Sequence, residues 1–145
     1  MEIVNLGDKI SEAQATKAVK VNVYGAEKFR SWILCFAPGD GTDMHFHVEP
    51  ETFLVVEGSG IVRGKNGAES PIRKGDVLCL GVRDYYQIIN TGTDHLVVYG
   101  NRSEGFGGPH FAADGTDIRK ADGSLGELAK ASVAAPGEAP SAARV

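Results

Sequence analysis

The sequence predicts an all-β domain of sandwich or barrel type, and three observations carry that expectation. Short apolar runs rich in β-branched and aromatic residues recur from about residue 18 to 101. Gly, Asp, Asn and Pro separate them at spacings of roughly 8 to 12 residues, as in sandwiches and barrels. No 10-to-15-residue helical pattern intervenes, which argues against parallel βαβ units.

Taken in order, residues 10–20 have the composition for one or two helical turns before the first strand. Strands are then expected near 18–24, 29–37, 43–48, 52–57, 59–64, 76–80, 86–90 and 95–101. The run Trp32-Ile33-Leu34-Cys35-Phe36 is apolar on both faces and reads as an interior strand covered from both sides. Turns are expected at Pro38-Gly39-Asp40-Gly41, Glu57-Gly58, Gly64-Lys65-Asn66-Gly67 and Asn90-Thr91-Gly92. Beyond residue 101, Gly105-Phe106-Gly107-Gly108-Pro109 is too glycine-rich for a regular element and is expected to cover the barrel. A short helix is expected over 125–133, and 134–145 reads as a low-complexity tail. The whole is expected to be one domain, 1–145, with its barrel core at about 18–101 and a covering segment over 102–133.

Composition narrows the function classes. Fifteen Lys and Arg against 19 Asp and Glu leave a formal charge of −4, with no basic cluster to neutralise phosphates, so nucleic-acid binding is not expected. Cys35 and Cys79 lie in apolar runs and read as reduced thiols acting as small hydrophobes. The first residues, Met1-Glu2-Ile3-Val4-Asn5, lack the basic and apolar regions of a signal peptide, and no window approaches the roughly 18 apolar residues of a membrane span. The expectation is a cytoplasmic protein without a membrane partner.

The stretch Gly39 to Gly58 carries the chemistry. His45 and His47 are two apart, which on a strand puts both imidazoles on one face. Glu51 opens the next strand, and if that strand is antiparallel its carboxylate converges on the same point. Two imidazoles and a carboxylate on one face suit a first-row transition metal with coordination positions left open.

This segment resembles the first motif of the cupins, G-x5-H-x-H-x3-E-x6-G, at every fixed position: Gly39, His45, His47, Glu51 and Gly58. The resemblance covers roughly residues 28–101 and implies a jelly-roll β-barrel holding one divalent metal, and a homodimer built by edge pairing or sheet packing. The second cupin motif, G-x5-P-x-G-x2-H-x3-N, matches at Gly75 and Asn90. Gly81 stands where Pro is usual, Arg83 where Gly is usual, and Tyr86 where the family carries a third metal-binding histidine. Tyr86 can be a metal ligand, a donor or acid/base group beside the metal, or pocket wall; Tyr85 would take its place after a one-residue slip.

The expected metal set is therefore His45, His47, Glu51 and Tyr86, with Tyr86 and Glu51 as the candidate catalytic residues. Iron is the first choice of metal, with Mn, Zn and Ni as alternatives. His110 is expected to be a solvated loop residue, His95 to lie near an exposed strand end and Tyr99 to line the pocket. Arg30, Arg63 and Arg73 are candidates to anchor an anion, with an outer-face position as their default. Trp32, Phe53, Val55 and Ile88, expected beside the site, favour a modest organic substrate. A mononuclear non-haem iron dioxygenase is the first expectation. A redox-neutral lyase, isomerase or decarboxylase using Tyr86, and a non-catalytic small-molecule binding protein, stand beside it.

Overall fold

The structure, a computed structural model, describes residues 1–103 and 110–115. The expected helix at 125–133 and the tail at 134–145 lie outside the described residues, as does the Gly105–Pro109 segment. The chain opens with helix α1 (Leu6–Thr16), followed by strands β1 (Lys20–Ala26), β2 (Phe29–Phe36), β3 (His45–Phe46), β4 (Glu51–Glu57) and β5 (Ser59–Gly64). A single 3₁₀ turn at Lys65–Gly67 leads into β6 (Glu69–Arg73), β7 (Val77–Leu80), β8 (Tyr86–Ile89), β9 (Leu96–Arg102) and β10 (Phe111–Ala112).

All pairings are antiparallel, and they form two five-stranded sheets, ordered β1-β2-β9-β4-β7 and β10-β3-β8-β5-β6. This is the jelly-roll arrangement expected from the sequence. The two sheets close on a core of Trp32, Leu34, Phe36, Phe53, Val55, Ile72, Tyr86, Ile88, Leu96 and Val98. Each contributing strand supplies every second residue, as the two-residue period of a strand requires.

The outer face of β2 is also covered, which explains its unbroken apolar run. Ile10 and Ala13 of α1 pack on Val21, Ile33, Cys35 and Val97, and Tyr99 joins this outer cluster rather than the barrel interior. Tyr99 therefore does not line the pocket: residues 97 and 99 point outward because 96, 98 and 100 point in. The helix sits some four residues earlier than its composition suggested. Asn5 caps it by accepting the Asp8 N–H at 3.2 Å, and Lys17 ends it in the left-handed region at φ 54°.

Two tight points fix the barrel around the site. Gly58 has φ 77°, and a Cβ there would strike the His95 carbonyl oxygen, so only glycine fits between β4 and β5. Gly100 lies opposite Trp32 on β2 and Phe53 on β4. A Cβ there would come within 2.9 Å of the indole and 2.6 Å of the Phe53 ring, so its missing side chain is what lets these two rings meet. They meet edge to face at 5.8 Å.

Candidate metal centre

β3 is short, but its alternation organises the site. Met44 and Phe46 face out and pack with Tyr85, while Asp43, His45 and His47 lie on the opposite parity and are all buried. His45 is directly across from Tyr86 on β8, with ring centroids 4.3 Å apart. Tyr86 thus faces the interior and Tyr85 the outer cluster.

On the other side of β3 lies β10, which pairs Ala112 with His45 and Phe111 with Phe46. One step further in that register comes His110. It is buried, not solvated, because the strand pairing folds it back over the mouth of the barrel. Its ring stacks on His45 at 4.2 Å and meets His47 edge-on at 4.9 Å. His45, His47 and His110 each offer a ligating nitrogen, and these nitrogens all lie within 4.8 Å of one another. Zinc and its neighbours bind imidazole nitrogen at about 2.0 to 2.1 Å, so small side-chain rotations bring three such donors onto one ion. The donor set fits a first-row divalent metal.

Asp43 holds two of the three rings. Its backbone carbonyl is 2.8 Å from His45 Nδ1, and its carboxylate Oδ2 is 3.1 Å from His110 Nε2. One nitrogen of each ring is thereby engaged, fixing the orientation in which the other meets a ligand. Burial pushes the Asp43 carboxyl up, but the His110 hydrogen bond and the electrostatic pull of the neighbouring imidazoles outweigh it and hold the group below the usual carboxylate range. Burial, with His110 and Arg102 adding to it, lowers His45 to about 3, against the pull of Asp43. His45 is thus a neutral imidazole, the form that binds metals. Asp43 was not singled out from the sequence, although D-x-H-x-H places it on the same strand face.

Glu51 lies beside this group. Its Oε1 is 4.0 Å from His47 Nε2 and its Oε2 is 3.7 Å from Arg102 Nε. The Tyr86 hydroxyl and the Glu51 carboxylate lie near enough to shift one another's titration. Burial raises Glu51, with Arg102 and the Tyr86 hydrogen bond opposing. Burial together with the Glu51 charge and hydrogen bond puts Tyr86 well above its ordinary value, so it stands as a neutral phenol.

The remaining candidates scatter. His95 is exposed at the start of β9. Arg63 pairs with Glu69 at 2.8 Å and reaches Gln87 at 3.0 Å on the second sheet, and Arg73 is exposed. Arg30 departs from its default: it is 2% exposed and its guanidinium carbon lies 5.2 Å from the Trp32 ring centroid. Asn90, the last residue of the second motif, is structural. Its amide donates to the Phe36 and Asp94 carbonyls at 2.9 and 2.8 Å. Cys35 is buried and Cys79 exposed, both as free thiols.

An antiparallel double-sheet barrel with three buried imidazoles gathered together defines a jelly-roll β-barrel with a group that could hold a metal. Residues 32–99 match the family model of the cupin domain. Over that segment the chain is similar to the cupin domain, and its structural neighbours share its fold. It is 32% identical over 85 residues to Auxin-binding protein 1 of Arabidopsis thaliana, a match covering 52% of this chain and 42% of that protein, so the chain spans less than half of that curated relative's length. Among solved structures it is similar to a Klebsiella pneumoniae protein with a double-stranded beta-helix domain. That likeness has a TM-score of 0.63 at 16% identity, covering 74% of this chain and 94% of that one. A Cupin 2 conserved barrel domain protein from Salinispora arenicola gives 0.59 at 21% identity, over 72% and 89%. At those identities the likeness is one of fold. Among the described residues no helix is long and apolar enough to cross a membrane.

Proposed function

We propose that this cupin-like protein is a metal-dependent enzyme acting on a small organic molecule, with one divalent transition metal held by His45, His47 and His110. The observation that carries the reading is the convergence of three buried imidazoles within 4.8 Å, two of them oriented by Asp43. When bound, such a metal polarises a carbonyl or carboxylate or, as iron, supplies oxygen chemistry. The chain's own residues do the rest. Trp32, Phe53, Val55 and Ile88 exclude water from the barrel interior. Tyr86, near Glu51, holds a proton at its phenol oxygen beside His45 and can deliver it to a ligand, with Glu51 receiving one in return. That pair supports the redox-neutral reading, a lyase, isomerase or decarboxylase. The iron dioxygenase reading would draw on the same three imidazoles, which would leave room on the ion for oxygen and substrate.

The non-catalytic reading is favoured by a different observation: the curated relative is named for binding a small molecule. Metal analysis of protein purified without chelator, followed by oxygen uptake and turnover with candidate hydroxy acids, phenols and diketones, separates the three. Iron with substrate-dependent oxygen uptake selects the dioxygenase, turnover without oxygen selects the redox-neutral enzyme, and saturable binding without turnover selects the binding protein. Protein without stoichiometric metal counts against the proposal as a whole. A homodimer belongs to the same proposal, supported by Leu54 and Val77 at 37% and 56% exposure on the outer sheet face that α1 leaves uncovered. Light scattering at twice the chain mass of 15.3 kDa tests it, and the monomer mass at micromolar concentration counts against it.

A further inference from the structure

The two sheets part between consecutive strands: β6 is the edge of one and β7 the edge of the other. Inward-facing residues beside this parting are not sealed from solvent. Ser70 lies opposite Val62, which in turn lies opposite Ile88 of the core, and Leu80 lies opposite Glu51. Yet Val62 and Leu80 are only half-buried and Ser70 is exposed, although Ile72, two residues on along the same face, is buried. A hollow of about 320 Å³ is lined by Val62, Ser70 and Leu80, and Tyr86, the partner of His45 across the sheet, shares that lining. The volume falls within the range of small-ligand pockets.

Two cations line the same hollow. Arg83 and Lys65 are exposed, and among the described residues neither side chain forms an ion pair. Asp84 adds a carboxylate to the lining, and its Oδ2 accepts the Gly81 N–H at 2.8 Å. Two positive charges against one negative suit a monoanion. Arg83 holds its place under strain, at φ 61°, where glycine fits freely and a side chain does not. The turn around it is fastened on both sides. The Asp84 N–H donates to the Gly81 carbonyl at 3.2 Å, and the Arg83 N–H donates to the His47 carbonyl at 2.8 Å. The guanidinium therefore springs from a backbone bonded to the segment that carries His45 and His47. A strained backbone position kept beside a candidate site is the kind of outlier that points to function.

We propose that the parting between β6 and β7 is the mouth through which a small organic carboxylate reaches the metal centre, with Arg83 as the residue that recognises its acid group. Lys65 adds a second positive charge to the mouth. The apolar body of the molecule lies against Val62 and Leu80, where Gly64 and Ala68 leave room for it, and its inner end meets Tyr86. This rests on the metal-dependent function proposed above and deepens it by giving the entrance and the charge of the substrate.

Hexanoate and benzoate, with hexanamide and benzamide as neutral controls, are titrated by calorimetry into chelator-stripped and into cobalt-loaded protein. The expected result is saturable binding of both acids in both forms, about tenfold or more tighter than that of the amides. Arg83→Gly keeps the backbone angle and the bond to His47, and is expected to weaken the acids by about tenfold with bound cobalt unchanged. Ala68→Trp, which fills the hollow from an exposed position, is expected to abolish acid binding. Arg73→Gln removes an equal charge from outside the hollow and is expected to bind as the parent does. Amides that bind as well as the acids, acid binding indifferent to Arg83→Gly or to Ala68→Trp, or an equal loss in Arg73→Gln overturn the proposal. Cobalt uptake without acid binding, or acid binding that needs cobalt and ignores Arg83, overturns this inference and leaves the metal centre standing. Acid binding that depends on Arg83 in a protein that takes up no cobalt keeps the recognition site and overturns the metal-dependent function.

Discussion

Asp43→Asn tests the metal centre most sharply, because one buried residue orients two of the three imidazoles. The backbone carbonyl that holds His45 at 2.8 Å survives the substitution, while the carboxylate that holds His110 Nε2 at 3.1 Å becomes an amide. A charge-assisted hydrogen bond is worth about 1.5 to 3 kcal/mol and a neutral one about 1, so about 0.5 to 2 kcal/mol of ring orientation is lost. At 1.4 kcal/mol per tenfold, metal affinity should fall about 2- to 30-fold, reaching the lower part of the 10- to 100-fold range seen when partners of metal-binding histidines are removed. Asp43→Ala, which keeps only the backbone contact, should approach 100-fold, and His110→Ala should abolish stoichiometric metal. The assay is competition with a chromophoric chelator for cobalt(II) or zinc(II), with circular dichroism confirming the fold. Glu69→Gln, which disturbs only the Arg63 pair on the second sheet, is the control. Parent-like affinity in both Asp43→Asn and His110→Ala would refute the three-imidazole assignment. If Glu51→Gln lost the metal in their place, the His45, His47 and Glu51 set expected from the motif would hold the ion.

Two further outcomes follow from groups around the site. In metal-free protein, burial holds His45 at about 3 in the folded chain against 6.5 when unfolded. The unfolded chain takes the proton first, so this contribution is full above pH 6.5 and falls away toward pH 3, by at most about 1.4 kcal/mol per pH unit. Asp43, held below the usual carboxylate range, adds to the loss at the acid end, while Glu51, held above it, subtracts. Urea midpoints in chelator should drop between pH 7 and 5, and a flat profile speaks against a neutral buried His45. Separately, Arg83 sits at φ 61°, in the left-handed region where the cupin motif usually has glycine, and its N–H donates to the His47 carbonyl at 2.8 Å. Arg83→Gly keeps that bond and removes a strain of about 1 kcal/mol, part of which is returned as unfolded-chain entropy. The melting point should rise by about 1 to 3 °C; a lower one means that the Arg83 side chain stabilises the fold.

What could be read from the sequence was what is local. Strands bounded by Gly, Asn and Asp, and the parity of His45 and His47, depend on neighbours within a few residues. β6 escaped because Glu69-Ser70-Pro71-Ile72-Arg73 reads as a turn. It pairs as a strand because it is the edge of its sheet, where proline is tolerated. Helix α1 was placed late because Gly7 masked its first turn, although Asn5 and Asp8 carried the cap. His110 escaped for a different reason. It lies 63 residues beyond His47, and only the pairing of β10 with β3 turns a loop histidine into a buried one. Arg30 shares this character: its charge argued for the outer face, but it lies on the parity of Trp32 and is buried, and its neighbour Arg102 was not singled out.

The departure at Tyr86 and the arrival of His110 are two sides of one rearrangement. β3 lies between β8 and β10 in its sheet, so the position beside His45 can be supplied from either neighbour. The second cupin motif supplies an imidazole from the β8 side. Here β8 brings Tyr86, whose hydroxyl turns to Glu51, and β10 brings the imidazole instead, stacked on His45 and secured to Asp43. The exchange gathers three imidazoles, His45, His47 and His110, with nitrogens within 4.8 Å of one another. Were a metal held by these imidazoles, its charge would be left largely uncompensated by them, with Glu51 standing 4.0 Å from His47 beside it. Tyr86→His separates the two consequences. It offers the metal a fourth imidazole and removes the Glu51 hydrogen bond, so metal affinity should hold or rise while proton delivery is lost.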